Sequence, residues 1–202
     1  MPLFAFIFAI ALALITHPLP APSATIIPAA SPPVAPSPQP TSVPKLVAIP
    51  KDNSPWGVAQ KIGEHTYQIK VQNDAQMGTP DEILSALNDL RRRNGAQALQ
   101  KDSRLCDYTV QRAKYQDSLG KTDAHAGFED FLTNLNGFEK LGYGRVGENS
   151  SYGYVMSGVH LIEFVYMQSP EHNANQLNPD WDRGCVGTAG SATNLLFATS
   201  PL

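Results

Sequence analysis

The first 44 of the 202 residues contain no Asp, Glu, Lys or Arg, and this restricts where the chain can build a core. From Pro18 the segment reads PLPAPSATIIPAASPPVAPSPQPTSVP. So many prolines remove backbone donors and favour an extended polyproline II conformation, and the few apolar residues between them cannot offset the entropy of folding. A globular core has to come from the remainder of the chain, where charged residues appear at ordinary density from Lys45 onward. Ahead of the spacer, LFAFIFAIALALI (residues 3–15) is a run of 13 apolar residues. That is the length of an export-signal core and short for a bilayer span. Small-residue cleavage sites lie at Ser23 and Ala24. Because no Lys or Arg precedes the run, an uncleaved membrane tether through residues 3–15 stays open. The expected organisation is a signal peptide or short anchor over 1–24, a Pro/Ala/Ser-rich linker over 25–54, an N-terminal strand extension over 55–78 and a domain over 79–202. A spacer between an export signal and a domain holds the domain off a membrane or envelope, so an extracellular or cell-envelope location is expected.

The formal net charge of -3 gives no excess of either sign, which argues against nucleic acid as a partner. The only basic cluster, Arg91-Arg92-Arg93, falls in the last turn of a predicted helix, where the helix dipole favours cations. The two cysteines, Cys106 and Cys185, have two readings. In an oxidising compartment they form one disulfide closing a loop of about 80 residues, worth roughly 4–5 kcal/mol in the loop-entropy model; otherwise they are two buried thiols.

GEHTYQIKVQ (63–72) alternates apolar and polar residues with the period of a half-buried edge strand. TPDEILSALNDLRRRNG carries a helix start, with Thr79 as N-cap, Pro80 at the first position and Glu82 placed to close a capping box; Gly95 stops it. A second helix is predicted over 103–118 with Cys106, Thr109, Val110 and Ala113 on its inner face. A short helix around Phe131, Leu135 and Phe138 is expected within 129–141. SGVHLIEFVYMQ (157–168), apolar almost all round, reads as an interior helix. RGCVGTAGSATNLLFATS reads as a terminal hairpin. Strand, helices, then strands, with few βαβ alternations, is an α+β arrangement.

His125 in DAHAGF, Glu148 in GENSSYG, and Glu171 and His172 in SPEHNANQL all sit in segments that read as turns. By residue type alone they either converge on one cleft or are ordinary polar loop residues.

The succession ILSALNDLRRRNG, DAHAGF, LGYGRVGEN, YMQSPEHNANQLNPDWDRGCVG resembles the motif order of the CAP superfamily: cysteine-rich secretory proteins, antigen 5, pathogenesis-related proteins and their bacterial SCP-domain relatives. The resemblance covers residues 80–199. It implies an α-β-α sandwich with a central antiparallel sheet flanked by helices, and a cleft in which His125 and His172 face each other beside Glu148. Two positions depart from the pattern of many bacterial members, with Tyr166 in place of Trp and Asn173 in place of Arg. The second cleft acid has no clear counterpart; Glu171 and Glu163 are the candidates.

Three functions are expected in consequence. The first is an exported binding module for a small molecule, lipid, peptide or glycan. The second is a zinc-assisted hydrolase with His125, His172 and Glu148 around a divalent cation. The third, a serine hydrolase using Ser169 or Ser150, lacks a nucleophile context such as GxSxG.

Overall fold

A computed structural model describes residues 53–200; the signal, anchor and spacer readings over residues 1–52 lie outside them. Among the described residues no helix is long and apolar enough to cross a membrane. The elements are β1 (Gln60–Gly63), β2 (Thr66–Gln68), α1 (Pro80–Arg93), β3 (Gln100–Lys101), α2 (Ser103–Leu119), α3 (Ala126–Asn134), α4 (Gly137–Leu141), β4 (Val146–Tyr152), a π-helical turn (His160–Val165) running into a 3-10 turn (Tyr166–Gln168), α5 (Pro170–Leu177), β5 (Arg183–Ala189) and β6 (Ala192–Ala198).

The main sheet has the order β3-β5-β6-β4 and is antiparallel except for the two-residue β3, which lies parallel to β5. Strand alternation divides the core in two. Val186, Leu195 and Phe197 face α1, the π-helical turn and Trp181. Cys185, Leu196 and Ala198 face Leu105 of α2, Phe128 and Leu141. Two helical layers thus enclose one sheet, the sandwich implied by the motif order. Helix α2 lies so close to β5 that a Cβ at Gly187 would sit 2.3 Å from the Thr109 carbonyl carbon; only glycine permits that approach.

Helix α1 begins as its sequence predicts. Thr79 accepts from the Glu82 N–H at 3.2 Å, although the Glu82 carboxylate, instead of closing the capping box, accepts from the Gly158 N–H. Arg91 corrects the reading of the basic cluster. Its side chain is fully buried and donates to the carbonyls of Gln97, Gln176, Asn178 and Trp181, so it ties α1 to the loop after α5. Arg92 and Arg93 remain at the surface, paired with Asp89 and Glu163.

Three other expectations change. Residues 63–72 do not form one edge strand: the chain turns at Glu64 and His65, and β1 and β2 make a separate two-stranded sheet. The helix expected within 129–141 is divided at Leu135 and Asn136, the latter with φ 56°. Phe128 and Leu141 are buried there, while Leu135 and Phe138 stay exposed. The apolar segment after Ser157 is only half interior. Leu161, Ile162, Val165 and Tyr166 are buried, but Val159, Phe164 and Met167 are exposed; apolar character all round does not by itself tell burial on one side from burial on both.

Cys106 and Cys185 are joined, linking α2 to β5 with their Cα atoms 5.0 Å apart, within the range a disulfide requires.

Candidate functional site

Strand β4 forms the open edge of the main sheet, and the candidate residues gather along it. Glu148 is therefore a strand residue and not part of a turn. Its neighbour on β6 is Leu196, which places its side chain on the α2 face. His125 comes from that same face, at the start of α3. His172 belongs to the first turn of α5, and the Asn149 side-chain amide donates to its carbonyl at 3.0 Å. SPEHNANQL is thus helical where it reads as a turn, with Ser169 as N-cap and Pro170 at the first position. The two histidines flank the sheet edge and line one cleft of about 700 Å³ together with His65, Tyr67, Ser150, Tyr152 and Tyr166.

Beneath the cleft lies a charge cluster that the motif order does not reveal. Arg112, on the buried face of α2, donates Nε to Glu148 Oε1 at 2.9 Å and both terminal nitrogens to Asp123, at 2.9 and 2.8 Å. Glu148 also accepts from the Asn194 amide at 2.7 Å and bonds His125 Nδ1 at 2.8 Å. The only signal of this in sequence is positional: Arg112 and Gln116 continue the inward stripe of Leu105 and Thr109, and a charged residue on such a stripe needs a buried partner.

Burial works to raise the Glu148 pKa, but the bonds from His125 and Arg112 prevail and hold it below the usual carboxylate value. Asp123 is brought down to about 2: burial opposes the shift, and the Arg112 hydrogen bonds and the Gly127 N–H outweigh it. At His125 burial favours the neutral ring, yet the Glu148 bond wins and raises its pKa. His172 goes the other way, to about 4, through burial first and repulsion from His125 second. The cleft therefore presents two imidazoles of opposed proton affinity, one that holds its proton more tightly than a free ring and one that is neutral at neutral pH.

The two shifts have opposite linkage. His172 contributes stability that is complete above its unfolded value of about 6.5 and lost as pH falls toward 4; His125 contributes below about 6.5 and loses that contribution as pH rises through its raised folded value. In an NMR titration His172 should protonate near pH 4 and His125 should remain protonated above pH 6.5. A common midpoint for both rings would contradict this electrostatic account.

His125 is placed by an unusual turn. The Asp123 carbonyl accepts from the Ala126 N–H at 3.1 Å, and the two residues between, Ala124 (φ 49°) and His125 (φ 69°), both have left-handed backbone. L-residues resist that conformation by roughly 1–2 kcal/mol each, so the fold holds strain where it positions this ring. Ala124→Gly should stabilise the protein by about 0.5–1 kcal/mol, read as a raised urea midpoint with unchanged slope.

Of the other candidates, Glu171 lies at the rim, exposed, bonding Lys61 at 3.1 Å and His65 at 3.3 Å from the β1–β2 hairpin. It lines a smaller cavity of about 450 Å³ that shares His65, His125 and His172 with the larger cleft. Glu163 pairs with Arg93 away from the cleft. Ser169 also lines the larger cleft and bonds His172 Nδ1 at 2.7 Å, but it is 1% exposed.

The zinc reading meets a donor set that does not fit it. Both Glu148 oxygens already accept hydrogen bonds, two of them from a guanidinium, so the carboxylate does not face an ion between the histidines. Among the described residues no group of three or more His, Cys, Asp or Glu is arranged to hold a metal ion.

No family model matches the sequence, and no curated protein does. The fold is nevertheless found among solved structures. An extracellular protein containing a SCP domain from Bacillus anthracis str. Ames superposes with a TM-score of 0.51 at 21% identity, over 60% of this chain and 40% of that one. A cysteine-rich secretory protein from Staphylococcus aureus subsp. aureus Mu50 gives 0.49 at 18% identity over 67% and 41%. An outer surface protein from Borrelia burgdorferi gives 0.48 at 14% over 62% and 100%. The chain thus spans about two fifths of the length of the first two proteins. The described domain has the bacterial SCP-type fold, α+β with helices on both sides of the sheet.

Proposed function

We propose that this chain is an exported SCP-type binding protein whose cleft holds a ligand without turning it over. The observation that carries the reading is the state of Glu148. A general base needs a carboxylate free to take a proton from substrate or water, and this one, 5% exposed, is committed to Arg112, His125 and Asn194. It serves to orient His125 and to favour its protonated form. The groups still open to the cleft are suited to recognition, namely two imidazoles of opposed proton affinity and the rings of Tyr67, Tyr152 and Tyr154. Such amphipathic rings beside small polar groups suit binding surfaces.

Export is supported by the short apolar N-terminus, the disulfide and the extracellular character of the SCP-domain protein from Bacillus. Fractionation should find a processed or tethered protein outside the cytosol; full-length protein in the cytosol with both thiols free contradicts this part. For the cleft, ligand extracted from natively purified protein and identified by mass spectrometry should be lost from a His172→Leu variant. Peptide and ester substrates should be turned over no faster than by buffer. Turnover abolished by a chelator, restored by zinc and absent in Glu148→Gln would establish the hydrolase instead.

A further inference from the structure

We propose that the ligand of this cleft is an extended peptide that adds as a strand to the open edge of β4, an inference that rests on the proposed binding function. Two bonds outside the strand proper set the direction of every backbone group on β4. The Gly153 N–H donates to the Ser191 carbonyl and the Thr199 N–H to the Arg145 carbonyl, in line with the register Val146↔Ala198 through Tyr152↔Ala192. Residues 145, 147, 149, 151 and 153 therefore exchange bonds with β6, and residues 148, 150 and 152 turn their N–H and C=O groups away from it.

The outward carbonyl of Glu148 is taken by the Asn175 amide at 3.2 Å, which closes one end. At the other end the Ile69 N–H donates to the Tyr154 hydroxyl, and that hydroxyl donates to the Ile69 carbonyl, at 3.0 and 3.1 Å. There a side chain does for the far wall what a neighbouring strand would do. Between these two closures Ser150 and Tyr152 border the cleft, which residues 66–71 also line.

Sheet edges are ordinarily blunted by lysine, proline, a bulge or a covering element. The stretch Glu148-Asn149-Ser150-Ser151-Tyr152 contains no lysine or proline, and its register with β6 is unbroken. A peptide backbone supplies donors and acceptors at the strand repeat that matches the outward groups of Ser150 and Tyr152. A saccharide offers hydroxyls without that period. With His125 on one face of the edge and His172 on the other, successive side chains of the added strand would meet the two imidazoles alternately.

The test uses a library of acetylated, amidated pentapeptides screened by fluorescence polarisation against the disulfide-bonded protein. Tyr152→Pro deletes an outward N–H while leaving the ladder bonds of residues 151 and 153 in place; Tyr152→Ala controls for the lost ring. The best peptide should bind Tyr152→Pro about tenfold or more weakly than Tyr152→Ala. N-methylation of that peptide at alternate amides should produce the same loss, and methylation at the intervening amides should not. If the proline variant fails to fold, the methylated series alone decides. A peptide that binds with no dependence on methylation register overturns strand addition and leaves the binding function standing, as does binding of an oligosaccharide or lipid where no peptide binds. Failure of all three ligand classes to bind the cleft overturns both.

Discussion

Replacing Arg112 with methionine should destabilise the protein by about 3–5 kcal/mol at neutral pH, the cost of leaving buried carboxylates without their cation. Arg112 is the only cation within hydrogen-bonding reach of Asp123 among the described residues, and it shares Glu148 with His125. The loss should depend on pH with a definite sign. Asp123 has a folded pKa near 2 against about 3.9 unfolded, so its pairing contributes fully above pH 4 and is lost as pH falls toward 2. The difference between wild type and variant, measured by urea unfolding, should therefore be largest at pH 7 and shrink toward pH 3. The double variant Arg112→Met/Glu148→Gln should recover part of the loss. A deficit under about 1 kcal/mol for the single variant would show that water replaces the guanidinium, and that the cluster is not a rigid support for His125.

The second large effect is expected from the disulfide. Cys106 and Cys185 are 79 residues apart, and closing a loop of that length removes roughly 4–5 kcal/mol of unfolded-state entropy in the chain model. Cys106→Ser/Cys185→Ser should lose about 2–5 kcal/mol, the range usual for native bridges, with the urea slope raised because the unfolded chain opens further. Since Cys185 packs against Leu105 and Leu196, part of the loss would reflect the buried hydroxyl at position 185. Reduction of the wild type without substitution separates that part from loop closure. Equal midpoints for oxidised and reduced wild type would remove the bridge from the account of stability.

The elements legible in the sequence are those with local causes. Helix α1 has its N-cap, proline and stop within one segment, and β5–β6 is a hairpin with alternating faces, so neither needs distant residues to be recognised. The order of motifs groups His125, Glu148 and His172, and the fold places all three at one sheet edge. The features hidden in the sequence depend on partners far along the chain. Arg91 and Arg112 look like ordinary helix cations until the carbonyls around residues 176–181 and the carboxylate of Glu148 are brought to them. The β1–β2 hairpin hides because Glu64-His65 carries no strong turn residue. The exposed side of the π-helical turn hides because Phe164 and Met167 are as apolar as the residues packed beneath them. Glu171, a candidate cleft acid by its place beside His172, lies at the rim because its partners Lys61 and His65 come from a hairpin the motif order does not include.

The position of the disulfide has a consequence for survival among proteases. Arg112, Asp123, His125, Glu148 and His172 all lie between Cys106 and Cys185, inside a single covalent ring. Hydrolysis of any one peptide bond in that ring, such as in the exposed turn at Leu135 and Asn136 between α3 and α4, leaves both pieces joined through sulfur. A nicked molecule keeps every charged residue of the site on one covalent body, and two cuts are needed before any of it can diffuse away.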